Sequence, residues 1–168
     1  MMVIAIVSIM SSIAIPRYLE FQYRARMAEP RLLLGSIRTA QARFFAAHDC
    51  YMDVRANPAT IPSGNPIAFD ATVTNTIPCT PGASITFQDL ELDIGNVLYF
   101  QYQCTLLTVG GDQAYACDAE GDLDGDGINS IWALCSDVND DKACDGATVK
   151  GHVAPVYYEP VRVSSEVF

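Results

Sequence analysis

The chain has 168 residues, half of them hydrophobic and 18% charged, with a formal net charge of −10. That length holds one compact domain, or one small domain plus an extended element, and so apolar a chain is not intrinsically disordered. A pI near 4.4 gives a surface that repels phosphate backbones, which argues against general nucleic-acid binding.

The apolar residues are unevenly spread. Met1 to Ile15 carries no charge, and its only polar residues are Ser8, Ser11 and Ser12. At about 1.5 Å per residue this run reaches roughly 22 Å, short of a hydrocarbon core of about 30 Å. It also lacks the basic leader and small-residue cleavage site of a secretory signal peptide. Pro16 interrupts the hydrogen-bond ladder without ending the helix. Beyond it, Arg17 to Ala47 is rich in helix formers, and Leu33, Ile37, Ala40 and Phe44 mark one apolar stripe. Pro30 predicts a second bend. The pattern predicts one long, curved helix of roughly 45 residues, apolar all round at its start and amphipathic at its end. An acidic body of this size cannot bury that first third, which must meet a membrane or other copies of the chain. Arg17, Arg24, Arg26, Arg31, Arg38 and Arg43 follow directly, leaving the remainder strongly acidic.

Residues 48–92 read as an irregular connection, with five prolines and many Thr and Asn residues. Only short pieces such as Ile67–Val73 or Ser84–Phe87 suit strands. So long a loop is uncommon unless stapled, and Cys50 and Cys79 bracket most of it. From Asn96 the pattern becomes β: Leu98, Phe100, Tyr102, Cys104 and Leu106 alternate with polar or outward residues. Gly110-Gly111 signals a two-residue hairpin, and counting outward sets Cys104 opposite Cys117 at a non-hydrogen-bonded position. There α-carbons approach to about 4.5 Å, within disulfide range. A third strand is expected at Ile128–Cys135, and an edge strand within Val153–Val163. Cys135 and Cys144 enclose a short loop suited to a disulfide clip. The six cysteines therefore predict Cys50–Cys79, Cys104–Cys117 and Cys135–Cys144 in an oxidising compartment. No C-x-x-C pair exists, and His48 and His152 are far apart, which disfavours zinc.

Asp122, Asp124 and Asp126, in D-x-D-x-D-G, have the spacing of the first half of a calcium loop. The twelfth position is Ala133, which excludes an EF-hand, but a smaller calcium site joined by Asp118, Glu120 or Asn129 stays open. Asp137, Asn139 and Asp141 repeat the alternation, with Asp140 and Asp145 nearby. Asp-Gly repeats also form turns without any ion. Catalysis finds no support: the histidines lack a nucleophile partner and no phosphate-binding glycine loop occurs. The chain is not expected to be an enzyme.

Met1–Arg26, MMVIAIVSIMSSIAIPRYLEFQYRAR, resembles the N-terminal segment of type IV pilins. Ile13-Ala14-Ile15-Pro16, Tyr18, Phe21 and Arg24–Arg26 carry the likeness, and Gly121–Gly127 resembles a turn in some pilins and secretion pseudopilins. The resemblance implies an α+β pilin fold: a long N-terminal α-helix packed on a C-terminal antiparallel β-sheet, with a disulfide-stapled loop region. It divides the chain into a helix at 1–47 and a globular head at 48–168, with a loop at 48–95 and the sheet and C-terminal loop at 96–168. It implies further that a leader and about six mature residues precede Met1, lengthening the apolar helix to roughly 21 residues, enough to span a bilayer. The function implied is a subunit that polymerises with itself through this helix into an extracellular filament for adhesion and twitching motility. Such a subunit waits in the inner membrane and meets the pilus assembly machinery. A type II secretion pseudopilin or a membrane-anchored periplasmic binding domain are the alternatives. No cofactor is expected beyond possible calcium.

Overall fold

The computed structural model describes residues 2–77, 79, 84–86, 92, 94–136, 148–149, 152–153 and 160–163. The helix runs as α1, Met2–Arg26, and α2, Ala28–His48. Pro16 sits inside α1 and the helix continues through it. The expected second irregularity falls at Met27, three residues before Pro30. Pro30 occupies the first turn of α2, where its missing N–H costs little. The stripe of α2 that enters the core is Pro30, Leu34, Ile37, Ala40, Gln41 and Phe44. Leu34 thus takes the place expected for Leu33, which is only half-buried. The helix ends at Asp49, whose left-handed φ of 58° turns the chain back while its N–H caps Phe45 O at 2.8 Å.

Among the described residues eleven strands pair antiparallel, five of them in a central sheet of order β1-β6-β7-β8-β11. Its strands are β1, Val54–Asn57; β6, Gln101–Val109; β7, Asp112–Gly121; β8, Ser130–Cys135; and β11, Val161–Arg162. Outside it, β2 (Ile67–Ala68) pairs with β5 (Val97–Leu98), β3 (Thr74–Thr76) with β4 (Ser84–Thr86), and β9 (Thr148–Val149) with β10 (His152–Val153). The hairpin β6–β7 turns at Gly110-Gly111, with φ of 62° and 104°, values that favour glycine. Its register sets Val109 against Asp112 and Cys104 against Cys117.

Three details differ from the pattern read along the sequence. The connection after α2 is not wholly irregular, because Val54–Asn57 joins the sheet as an edge strand beside β6. The β run expected from Leu98 to Leu106 breaks at Tyr99–Phe100, so that β5 and β6 are separate. At that break the chain presses on Gly121, where a β-carbon would lie 2.4 Å from Tyr99 O. The third strand begins at Ser130, and Ile128 stays exposed in the turn before it.

Leu34, Ile37, Ala40 and Phe44 pack on Phe100, Tyr102, Cys104, Tyr115, Cys117 and Leu134, so α2 covers one face of the sheet. Full burial of such side chains contributes about 1.5–3 kcal/mol each for the larger ones, which fixes α2 to the sheet far more firmly than helix propensity could. Ala116, Ala133 and Cys135 form a smaller cluster with Leu107 and Val163.

Candidate assembly surface and acidic turn

Most of α1 makes no such use of its apolar side chains. Val3, Ile4, Ile6, Val7, Ile9, Met10, Ile13, Ile15, Tyr18, Leu19 and Phe21 are between 43% and 72% exposed. At 100° per residue these positions encircle the helix, so it presents no single stripe that one neighbouring element would cover. The Ser8 and Ser12 hydroxyls donate to Ala5 O at 2.8 Å and Ile9 O at 2.7 Å. Their polar atoms are thereby satisfied within the helix and add little cost to burial in an apolar environment. The helix is long and apolar enough to cross a membrane, and its most apolar stretch is nowhere buried within the chain.

Charge begins after Pro16. Glu20 pairs with Arg24 one turn on and stands 4.0 Å from Arg17. Arg26 lies over the Tyr99 ring at 4.4 Å and faces Tyr23 at 5.8 Å. Glu29 accepts from the Tyr99 N–H at 3.1 Å and from the Tyr102 hydroxyl at 3.0 Å. These contacts from Arg26 and Glu29 tie the α1–α2 junction to the start of β6. Burial, then the neighbouring Glu29 charge and the hydrogen bond to it, hold the Tyr102 phenol well above its usual range.

The acidic turn joins β7 to β8. Asp122 is buried and its carboxylate accepts from Ser63 Oγ at 2.7 Å, Gly125 N at 2.7 Å and Gly127 N at 3.1 Å. Gly125 and Gly127 have φ of 79° and 88°, which lets the chain curl around that carboxylate. Burial raises the Asp122 pKa, but the Ser63, Gly125 and Gly127 hydrogen bonds outweigh it and leave the group below its usual value. Asp124 is pushed the other way, by desolvation and by the neighbouring Asp126 and Asp122 charges, against a hydrogen bond from the Asp126 N–H. The backbone completes the attachment: Asp122 N donates to Pro62 O at 2.9 Å and Gly64 N to Asp122 O at 2.7 Å. Ser63, distant in sequence, is a partner that no local pattern announces.

The structure brings Asp122, Asp124 and Asp126 together, with one ligand atom from each within 4.8 Å of the others. Calcium–oxygen distances of about 2.3–2.6 Å place two ligands of one ion up to roughly 5 Å apart, so these hard oxygen donors fit that ion. Glu120 accepts from Asn129 at 2.8 Å and Asp118 from Gln103 at 3.1 Å, so the other suggested contributors have protein partners. Asp137, Asn139, Asp140, Asp141 and Asp145 lie outside the described residues. Cys50 is bonded to Cys79, with α-carbons 6.1 Å apart, and Cys104 to Cys117, at 3.9 Å. Cys135 is disulfide-bonded as well, while Cys144 lies outside the described residues.

Four buried amides supply what the sequence did not announce. Gln41 bonds both ways to Met52, at 2.7 and 3.0 Å, and Asn57 both ways to Asp70, at 2.7 and 3.2 Å. Asn75 accepts from Arg55 N, and Gln101 donates to Pro58 O. They satisfy backbone groups of Met52, Pro58 and Asp70 in the connecting loops and of Arg55 in the edge strand β1.

A stretch of 53 residues is 42% identical to the type IV major pilin protein PilA of Myxococcus xanthus (strain DK1622). Over that stretch the chain is similar to a type IV major pilin. The match covers 32% of this chain and 24% of that pilin, so the chain spans about a quarter of the length of the relative it matches. No family model matches the chain, and no solved structure does. The long helix followed by a disulfide-bonded antiparallel sheet is the α+β architecture of a pilin fold.

Proposed function

We propose that this protein is a structural subunit of a type IV pilus, polymerising through α1 into an extracellular filament that serves adhesion and twitching motility. The observation that carries the reading is a pilin-like chain whose α1 exposes eleven large hydrophobic side chains around its whole circumference. Before assembly the inner membrane shelters that surface; afterwards neighbouring helices do, at the cell surface. The work is mechanical, and the chain is not an enzyme. We also propose calcium as the ion that Asp122, Asp124 and Asp126 accept, on the convergence of their oxygens. Negative-stain microscopy of material sheared from cells expressing the full chain tests the filament. Long fibres labelled by an antibody to this chain are expected; their absence from cells that export the protein overturns the reading in favour of a membrane-anchored periplasmic domain.

A further inference from the structure

Where α1 passes the acidic turn, Pro16, Leu19, Glu20, Tyr23 and Asp124 line an open cleft of about 260 Å³. Its walls are mainly apolar and include two carboxylates, those of Glu20 and Asp124. Glu20 already pairs with Arg24, but no described cation pairs with Asp124. The cleft therefore suits a long cationic side chain: an aliphatic stem against Pro16 and Leu19, and a charged head at Asp124. Arginine supplies both, together with a planar group that stacks on a tyrosine ring.

The chain itself carries such a group. Arg17 and Arg24 stand near Glu20, Arg26 lies over tyrosine rings, and Arg162 donates to Ser130. Arg31 is exposed in the first turns of α2, beside Leu32, which is 70% exposed. Among the described residues Arg31 has no ion pair, hydrogen bond or ring contact. It lies eight to fifteen residues beyond the helical walls of the cleft, hence about 12–22 Å along the axis. An arginine side chain does not span that distance within one copy. A second, parallel copy displaced by that amount brings its Arg31 to the cleft.

Resting on the filament reading above, we propose that Arg31 of one copy seats in the cleft formed by Pro16, Leu19, Glu20, Tyr23 and Asp124 of another, and so fixes the axial stagger of the assembly. The apolar surface of α1 supplies attraction at any offset, because it has no preferred face. A charge in a cleft works at one offset only, and complementary charges give register more than raw affinity. The separation of basic helix from acidic body thereby becomes an assembly code between identical chains.

The test is charge reversal in the full chain, with filaments sheared from cells and quantified in excess chelator. Arg31→Glu and Asp124→Arg are each expected to lower filament yield about tenfold, the factor for roughly 1.4 kcal/mol of lost coupling. The double reversal is expected to restore yield and stagger. Arg31→Glu changes an exposed helical position without described partners, so circular dichroism of the detergent-extracted protein should match wild type. Wild-type yield from Arg31→Glu overturns the proposal, as does failure of the double reversal to rescue. Filaments that dissolve in chelator whatever stands at position 31 assign the cleft to a divalent ion and also overturn it. Absence of wild-type filaments even before chelator is added fails the filament reading itself, a result distinct from the others.

Discussion

Removing residues 1–22 isolates the assembly surface from the fold. The buried core draws on α2 and the sheet, and Tyr23 is the first helical residue packed against it. The truncated chain should therefore fold. It loses all eleven exposed hydrophobics of α1, which range from 43% to 72% exposed. Complete burial of such a side chain contributes about 1.5–3 kcal/mol, so covering the exposed part gives roughly 1–2 each and on the order of 10–20 kcal/mol in all. Association costs about 4–15 kcal/mol, so losing this surface removes the drive to polymerise. Analytical ultracentrifugation should show a monomer without detergent, and microscopy no fibres. Its near-ultraviolet circular dichroism should match the full chain in detergent, corrected for Tyr18 and Phe21. Fibres of unchanged diameter from the truncated chain would refute the role of α1. An unfolded truncated chain would refute the claim that the core begins at Tyr23.

Asp122→Ala leaves Ser63 Oγ, Gly125 N and Gly127 N without their acceptor and should cost about 2–4 kcal/mol in denaturant unfolding of the truncated chain. Because the folded Asp122 pKa is depressed, its stabilisation is full above the ordinary value near 3.8 and is lost as pH falls through the folded value. Asp124, shifted upward, has the opposite sign and its repulsion eases on acidification; the acid-side loss of stability should therefore shrink in Asp122→Ala, and equal slopes would count against the assignment. Calcium at a hundredfold excess over its Kd should stabilise the truncated chain by about 2.7 kcal/mol, with magnesium weaker and Asp124→Ala abolishing the shift; identical melting in calcium and chelator leaves the aspartates as turn formers. Replacing Cys104 and Cys117, 13 residues apart, by alanine should cost about 3 kcal/mol by loop entropy, and an unchanged denaturation midpoint would refute that.

Local patterns made much of this protein legible. An uncharged run from Met1 to Ile15 reads as a helix with nowhere to hide because its chemistry is the same on every side. Gly110-Gly111 fixes a hairpin because two residues of positive φ match strand twist, and the turn then dictates that Cys104 faces Cys117. The convergence of Asp122, Asp124 and Asp126 likewise follows from spacing within one turn. What the sequence could not disclose depends on residues far apart in the chain. Leu33 and Leu34 are chemically alike, and only the placement of the sheet chose Leu34 for the core. Val54–Asn57 carries no strong alternation and became a strand because β6 offered an open edge. Ser63 reached Asp122, and Gln41, Asn57, Asn75 and Gln101 were buried, because tertiary packing set each amide or hydroxyl beside a polar group of a loop or edge strand that needed a partner. In sequence these are ordinary polar residues; a buried backbone donor or acceptor must find a partner, and only the folded chain decides which side chain is within reach.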